Sequence, residues 1–97
     1  MENPVEEHGN SLMLDGNAMA GVFYELFNME MTTTWLECGS CGRQGEVGSL
    51  WAFVETPGYV LRCPACQQVV MRLAVTPASV YLETRGSAYL CLPRRSI

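Results

Sequence analysis

Four of the five cysteines fall in two pairs of identical spacing, Cys38-Gly39-Ser40-Cys41 and, 21 residues later, Cys63-Pro64-Ala65-Cys66. Two residues between thiols let one tight turn aim both sulfurs at a single point. Two such turns set face to face offer four thiolates, the donor set of a tetrahedral metal site with sulfurs about 2.3 Å from the ion. The 21 residues between the pairs suffice for an out-and-back hairpin that returns the second turn opposite the first. Soft thiolate donors in this geometry select zinc, with a single iron as the alternative. The expected ligands are Cys38, Cys41, Cys63 and Cys66.

The neighbours of the pairs carry further chemistry. Gly42 directly follows the first pair, where a left-handed backbone would let amides point at the sulfurs. Gln67 holds the matching place in the second turn and would carry about 1 to 2 kcal/mol of strain there. Pro64 stiffens that turn through its fixed φ. Arg43 and Arg62 lie one or two positions from ligands and are candidates to offset the surplus negative charge. Cys91 follows in an apolar C-terminal strand, outside a site that is already complete, and is expected to be a packed thiol. Disulfide exchange at a C-x-x-C would require a helix start after a parallel strand in a larger α/β domain, and both pairs here are flanked by extended segments instead. No Ser/His/Asp set, carboxylate pair or phosphate loop stands out. With one histidine, His8, near the N-terminus, the usual general base is missing and the chain is not expected to be an enzyme.

The elements that must position these turns are short. Asp15 is a plausible N-cap, and Met19, Val22, Phe23, Leu26 and Phe27 repeat at helical spacing, which predicts one amphipathic helix over about 16–28. Gly16 and Gly21 should weaken it by about 1 kcal/mol each, so it must dock, either on the domain's own sheet or on a partner. The stretch from Met31 to Leu36 reads as extended. Leu50 to Glu55, the turn dipeptide Pro57-Gly58 and Tyr59 to Arg62 read as a hairpin feeding the second cysteine turn. Val69, Met71, Leu73 and Val75 alternate with Val70, Arg72, Ala74 and Thr76, the period of a strand with one buried face. Val80 to Glu83 and Ala88 to Leu92 give two more short strands around Arg85-Gly86. Trp35 and Trp51 are expected in the core, although both are large enough to anchor an interface.

The chain has 97 residues, 48% of them hydrophobic and 16% charged, with nine glycines and five prolines. One small core can be built from it, with help from a cross-link. The organisation expected is a flexible acidic tail over 1–11 and a single domain over 12–97. The tail lacks an apolar signal core and no run of apolar residues is long enough to span a bilayer, so a cytoplasmic protein without membrane contact is expected. The formal net charge is −4; four thiolates and a divalent cation add a further −2, bringing it to about −6. There is no lysine, and the arginines form no basic stripe. Nucleic acid is therefore disfavoured, with a cluster of Arg85, Arg94 and Arg95 as the only candidate contact. The aromatic hairpin residues Trp51, Phe53 and Tyr59, with Pro57, suit another protein or self-association better than a phosphate backbone. No small-molecule substrate site is evident.

The segment LDGNAMAG (14–21), the turns C-G-S-C-G-R and R-C-P-A-C, and the step Thr76-Pro77 together resemble a family of small bacterial zinc-ribbon proteins of unknown function. The resemblance covers about residues 12–92. What it implies is limited, since that family has no assigned activity. The residues themselves lead to the expectation of a small α+β fold, a zinc-ribbon-like antiparallel β-sheet with one N-terminal amphipathic helix, in which zinc is structural and the module is noncatalytic. The two turns also resemble those of rubredoxins, single-iron electron carriers with C-x-x-C-G and C-P-x-C-G pairs. The second turn departs from that pattern at Gln67 and the gap is shorter than usual there. Nickel metallochaperones of the hydrogenase pathway share a four-cysteine ribbon, but begin Met-His-Glu where this chain has Glu2 after its methionine.

Overall fold

The computed structural model describes residues 13–55 and 58–94. The expectations placed on the tail over 1–11, with His8, and on Pro57 and Arg95 lie outside those residues. Strand β1 (Met13–Asp15) runs into a 3-10 turn over Gly16–Met19, which continues as helix α1 (Ala20–Phe27). Asp15 Oδ1 accepts the Asn17 N–H at 3.0 Å, so Asp15 is the N-cap. Asn28 closes the other end in the left-handed conformation (φ 55°), its N–H donating to Tyr24 O at 2.8 Å. Met19 and Phe23 are buried, while Val22, Leu26 and Phe27 pack against the same core. Of the two dockings open to it, the apolar stripe thus takes the domain's own core.

Seven further strands follow: β2 (Trp35–Cys38), β3 (Gln44–Glu46), β4 (Trp51–Glu55), β5 (Gly58–Arg62), β6 (Val69–Val75), β7 (Val80–Glu83) and β8 (Ser87–Cys91). All pair antiparallel, but in two sheets, a five-stranded one ordered β1-β4-β5-β6-β7 and a three-stranded one ordered β3-β2-β8. A second 3-10 turn, Val47–Ser49, carries the chain from β3 towards β4. The segment between the cysteine pairs is therefore more than the expected hairpin, because β3 first returns along β2 before the chain changes sheets.

Local chemistry explains where the pattern misled. Residues 31 to 34 were expected to be extended but make a turn, closed by Thr34 N–H donating to Met31 O at 3.0 Å. The Glu30 carboxylate accepts both the Thr32 N–H and the Thr32 hydroxyl, a local alternative to strand pairing. On β6, Met71 and Leu73 are buried and Arg72 is exposed, yet Val70 is buried as well. Arg62 pairs with Val69 and Leu61 with Met71, leaving Val70 as the extra residue of a β-bulge, which places it beside Met71 instead of on the opposite face. Trp35 stays 45% exposed because its neighbour Leu36 takes the inward position on β2. The hairpin aromatics do not gather at a tip. Trp51 pairs with Arg62 at the cysteine end, and Trp51, Phe53 and Tyr59 are half-buried.

The two helix glycines prove unlike. A Cβ at Gly16 would stand 2.1 Å from Val47 O, whereas one at Gly21 would meet nothing within 4 Å. Gly16→Ala should cost about 1 to 3 kcal/mol by forcing two backbones apart, while Gly21→Ala should stabilise by up to about 1 kcal/mol through helix propensity. Denaturant melts of the two variants check this, and equal effects would refute the close approach.

Candidate metal centre

Each cysteine pair sits where a strand ends and its backbone turns. The first turn follows from β2: Cys38 N–H donates to Arg43 O at 2.8 Å, Gly42 N–H to Cys38 O at 2.9 Å, and Ser40 N–H to Cys38 Sγ at 3.4 Å. The second follows from β5 with the same connections: Cys63 N–H to Gln68 O at 2.9 Å, Gln67 N–H to Cys63 O at 2.7 Å, and Ala65 N–H to Cys63 Sγ at 3.4 Å. Gly42 has φ 83° and Gln67 φ 68°, so both take the left-handed conformation that the spacing required. At Gln67 a side chain pays for that geometry with strain.

The four sulfurs converge within 4.8 Å of one another. Cys38 Sγ lies 3.7 Å from Cys66 Sγ, and Cys41 Sγ 3.7 Å from Cys63 Sγ. Four sulfurs about 2.3 Å from a central ion define a tetrahedron with edges of about 3.8 Å, so the donor set fits a single cation. No other group of three or more candidate ligands occurs among the described residues. Cys38 and Cys63 are buried, Cys66 is half-buried and Cys41 exposed. One side of the site is thus embedded in the core and the other faces solvent.

Electrostatics make a cation necessary for full ionisation. Burial opposes the Cys38 thiolate, but the Cys41 and Ser40 amides and the adjacent thiols more than offset it and lower Cys38 to about 7. The Gln68 amide favours the Cys66 thiolate, but burial and the three surrounding sulfurs outweigh it and push Cys66 up to about 11. Cys41 also moves up, burial and the Cys63 sulfur prevailing over the Arg43 amide. One thiolate forms readily, and the next ones repel it unless a cation neutralises them.

The nearby arginines act on the turns and not on the sulfurs. Arg62 Nη1 donates to Gln67 O at 2.8 Å, bracing the strained residue, and its guanidinium lies 6.0 Å from the Phe53 ring centre. Arg43 Nη1 reaches Ser49 Oγ at 3.2 Å. The turn between β7 and β8 closes the site's flank. Gly86 O accepts the Gly39 N–H at 2.8 Å, and a Cβ on Gly86 would lie 1.9 Å from Val69 O. In the sequence Arg85-Gly86 only separates two short strands; its wedging between the first cysteine turn and the start of β6 is a long-range fact with no local signal. Cys91 corrects its expectation. It is exposed on β8, opposite Trp35, because the register puts Leu90 on the inner face with Leu36.

Two outcomes follow from this geometry. Gln67→Gly keeps the carbonyl that Arg62 holds and removes the strain, so it should raise stability by about 1 kcal/mol; a lower melting temperature would contradict the strained turn. The metal-bound state holds fewer protons than the unfolded chain, whose thiols titrate near about 8.5. Stability from the metal is therefore complete above that value and declines as pH falls below it. Competition with a chelating indicator should show affinity climbing with pH, and a flat profile would exclude a thiolate site.

No curated protein and no solved structure matches the chain. The sequence model of a family of unknown function, DUF6510, matches residues 6–95. Spanning nearly the whole sequence and both cysteine turns, that match shows that the chain belongs to the DUF6510 family.

Proposed function

We propose that this protein is a noncatalytic binding module in which Cys38, Cys41, Cys63 and Cys66 hold structural zinc and the surface serves protein–protein contact. The observation that carries the reading is the tetrahedral spacing of four sulfurs delivered by two different sheets. Four protein thiolates complete the coordination of the ion and leave no open position for water or substrate. What zinc would supply there is a cross-link and a sink for thiolate charge. Zinc is preferred to iron because it matches the closed four-thiolate site without redox demands, and because Gln67 departs from the iron-carrier pattern. A reducing compartment such as the cytoplasm would keep the thiols available.

Several features favour protein over nucleic acid as the partner. Arg72 and Arg85 are both engaged with Glu83, at 3.3 Å and 2.5 Å, which leaves little free positive charge on that side for phosphates. Large hydrophobic residues, Tyr24, Trp35 and Tyr81 among them, are exposed, as suits a protein contact.

Zinc binding contributes about 10 to 16 kcal/mol in zinc-finger peptides, comparable to the whole stability of a typical small domain, about 5 to 15 kcal/mol. Purified protein should be colourless and carry one zinc per chain by elemental analysis. Chelation or Cys63→Ser should abolish the cooperative thermal transition. Visible absorption with stoichiometric iron would replace zinc by the electron-carrier alternative, and an unchanged melt without metal would sink the structural role.

A further inference from the structure

Strand β7 is the last of the five-stranded sheet, and among the described residues nothing pairs with its outer edge. Thr76 N–H donates to Ser79 O at 2.8 Å, while the Ser79 N–H turns back to Thr76 Oγ1 at 2.9 Å, so Thr76 and Ser79 face each other at a hydrogen-bonding position of the ladder. Pairs alternate along an antiparallel ladder, which makes Ala74–Tyr81 and Arg72–Glu83 hydrogen-bonded and Val75–Val80 and Leu73–Leu82 not. A Cβ on Gly58 of β5 would lie 1.8 Å from Leu73 O, in agreement with a Leu73 carbonyl that points away from β7. Val80 and Leu82 therefore turn their N–H and C=O groups outward, two donors and two acceptors at the free edge.

That set is self-complementary. If two β7 strands run antiparallel with Tyr81 facing the partner's Tyr81, then Val80 faces the partner's Leu82 and Leu82 the partner's Val80, each pair exchanging both bonds. Shifting the register to centre on Val80 or on Leu82 leaves one of the two outward residues of each copy without its counterpart. The side chains agree with this register. Val80 and Leu82 lie on the face of the buried Leu73 and are partly exposed, as is Val75 beside them, so a second copy would extend one apolar stripe across the junction. On the other face Tyr81, 65% exposed, would meet its own copy in a non-hydrogen-bonded pair, where side chains approach closest. Glu83 faces the partner's Ser79, so no like charges are opposed. Between Ser79 and Leu82 the edge carries no charge, proline or bulge, the devices that normally block edge pairing.

We infer that the β7 edge docks a second copy of this chain, joining two five-stranded sheets into one about a twofold axis at Tyr81. This rests on the reading of the chain as a binding module and names the partner. Sedimentation equilibrium of the metal-loaded full chain over a hundredfold concentration range should show a reversible monomer–dimer equilibrium. Val80→Pro removes an outward N–H and no β6–β7 bond, so it should keep its metal and its melting transition while weakening dimerisation by at least about tenfold. Should that variant fail to fold, Tyr81→Cys in a Cys91→Ser background replaces it. The two substituted positions, about 4.5 Å apart between Cα atoms, should form an intermolecular disulfide when added diamide takes up the two electrons and two protons. A chain that stays monomeric throughout, or a dimer that Val80→Pro leaves intact, overturns the pairing. A monomer with one metal per chain and a cooperative melt does so while leaving the metal-stapled module standing, whereas a metal-free chain fails the earlier reading first.

Discussion

Four sulfurs drawn to within 4.8 Å of one another join parts of the chain that the backbone hydrogen bonds keep in separate sheets. Cys38 ends β2 in the three-stranded sheet, and Cys63 follows β5 in the five-stranded one. Without a cation, the site resists its own ionisation, since one thiol is lowered to about 7 while another is pushed up to about 11. The same repulsion that makes the empty cluster unfavourable would make a bound cation an effective cross-link, because it would remove the charge conflict and tie the two sheets in one step.

The rest of the local structure is arranged around that junction. Both turns use the same pattern of backbone bonds, and both require a left-handed residue after the second cysteine. The β7–β8 turn passes between the sheets at Gly86, where no side chain fits, and its carbonyl ties to the first cysteine turn at Gly39. Gly16 and Gly48 permit another close crossing, since a Cβ on Gly16 would lie 2.1 Å from Val47 O and one on Gly48 2.3 Å from Asn17 Oδ1. The LDGN segment is explained by this crossing: Asp15 caps the turn, Gly16 gives the room, and Asn17 fills the space that Gly48 leaves open.

What was legible in the sequence is what short-range spacing determines. The two C-x-x-C turns, the left-handed positions at Gly42 and Gln67, the Asp15 cap and the β4–β5 hairpin all depend on residues a few positions apart. What escaped depends on partners far along the chain. Strands β1 and β3 are three residues each, too short to display a period, and exist because β4 and β2 offer them edges. The bulge at Val70 breaks the alternation of β6 through its pairing with β5. Residue type alone points Trp35 and Cys91 to the core, whereas their cross-strand pairing on the outer face of the smaller sheet leaves both exposed.

A metal-centred cross-link also bears on what the surface can hold. A chain of 97 residues buries too little area to be indifferent to apolar groups left in water, and globular domains of this size place most large hydrophobics inside. Here five of the nine exposed large hydrophobics among the described residues lie between Val80 and Leu92, four of them on the consecutive edge strands β7 and β8 and Leu92 directly after. Folding free energy supplied by an ion would release those positions from core duty, so that their composition can answer to association instead. Under the proposed reading stability and recognition would be separated along the chain, the first concentrated at the cysteine turns and the second at the edges they hold in place.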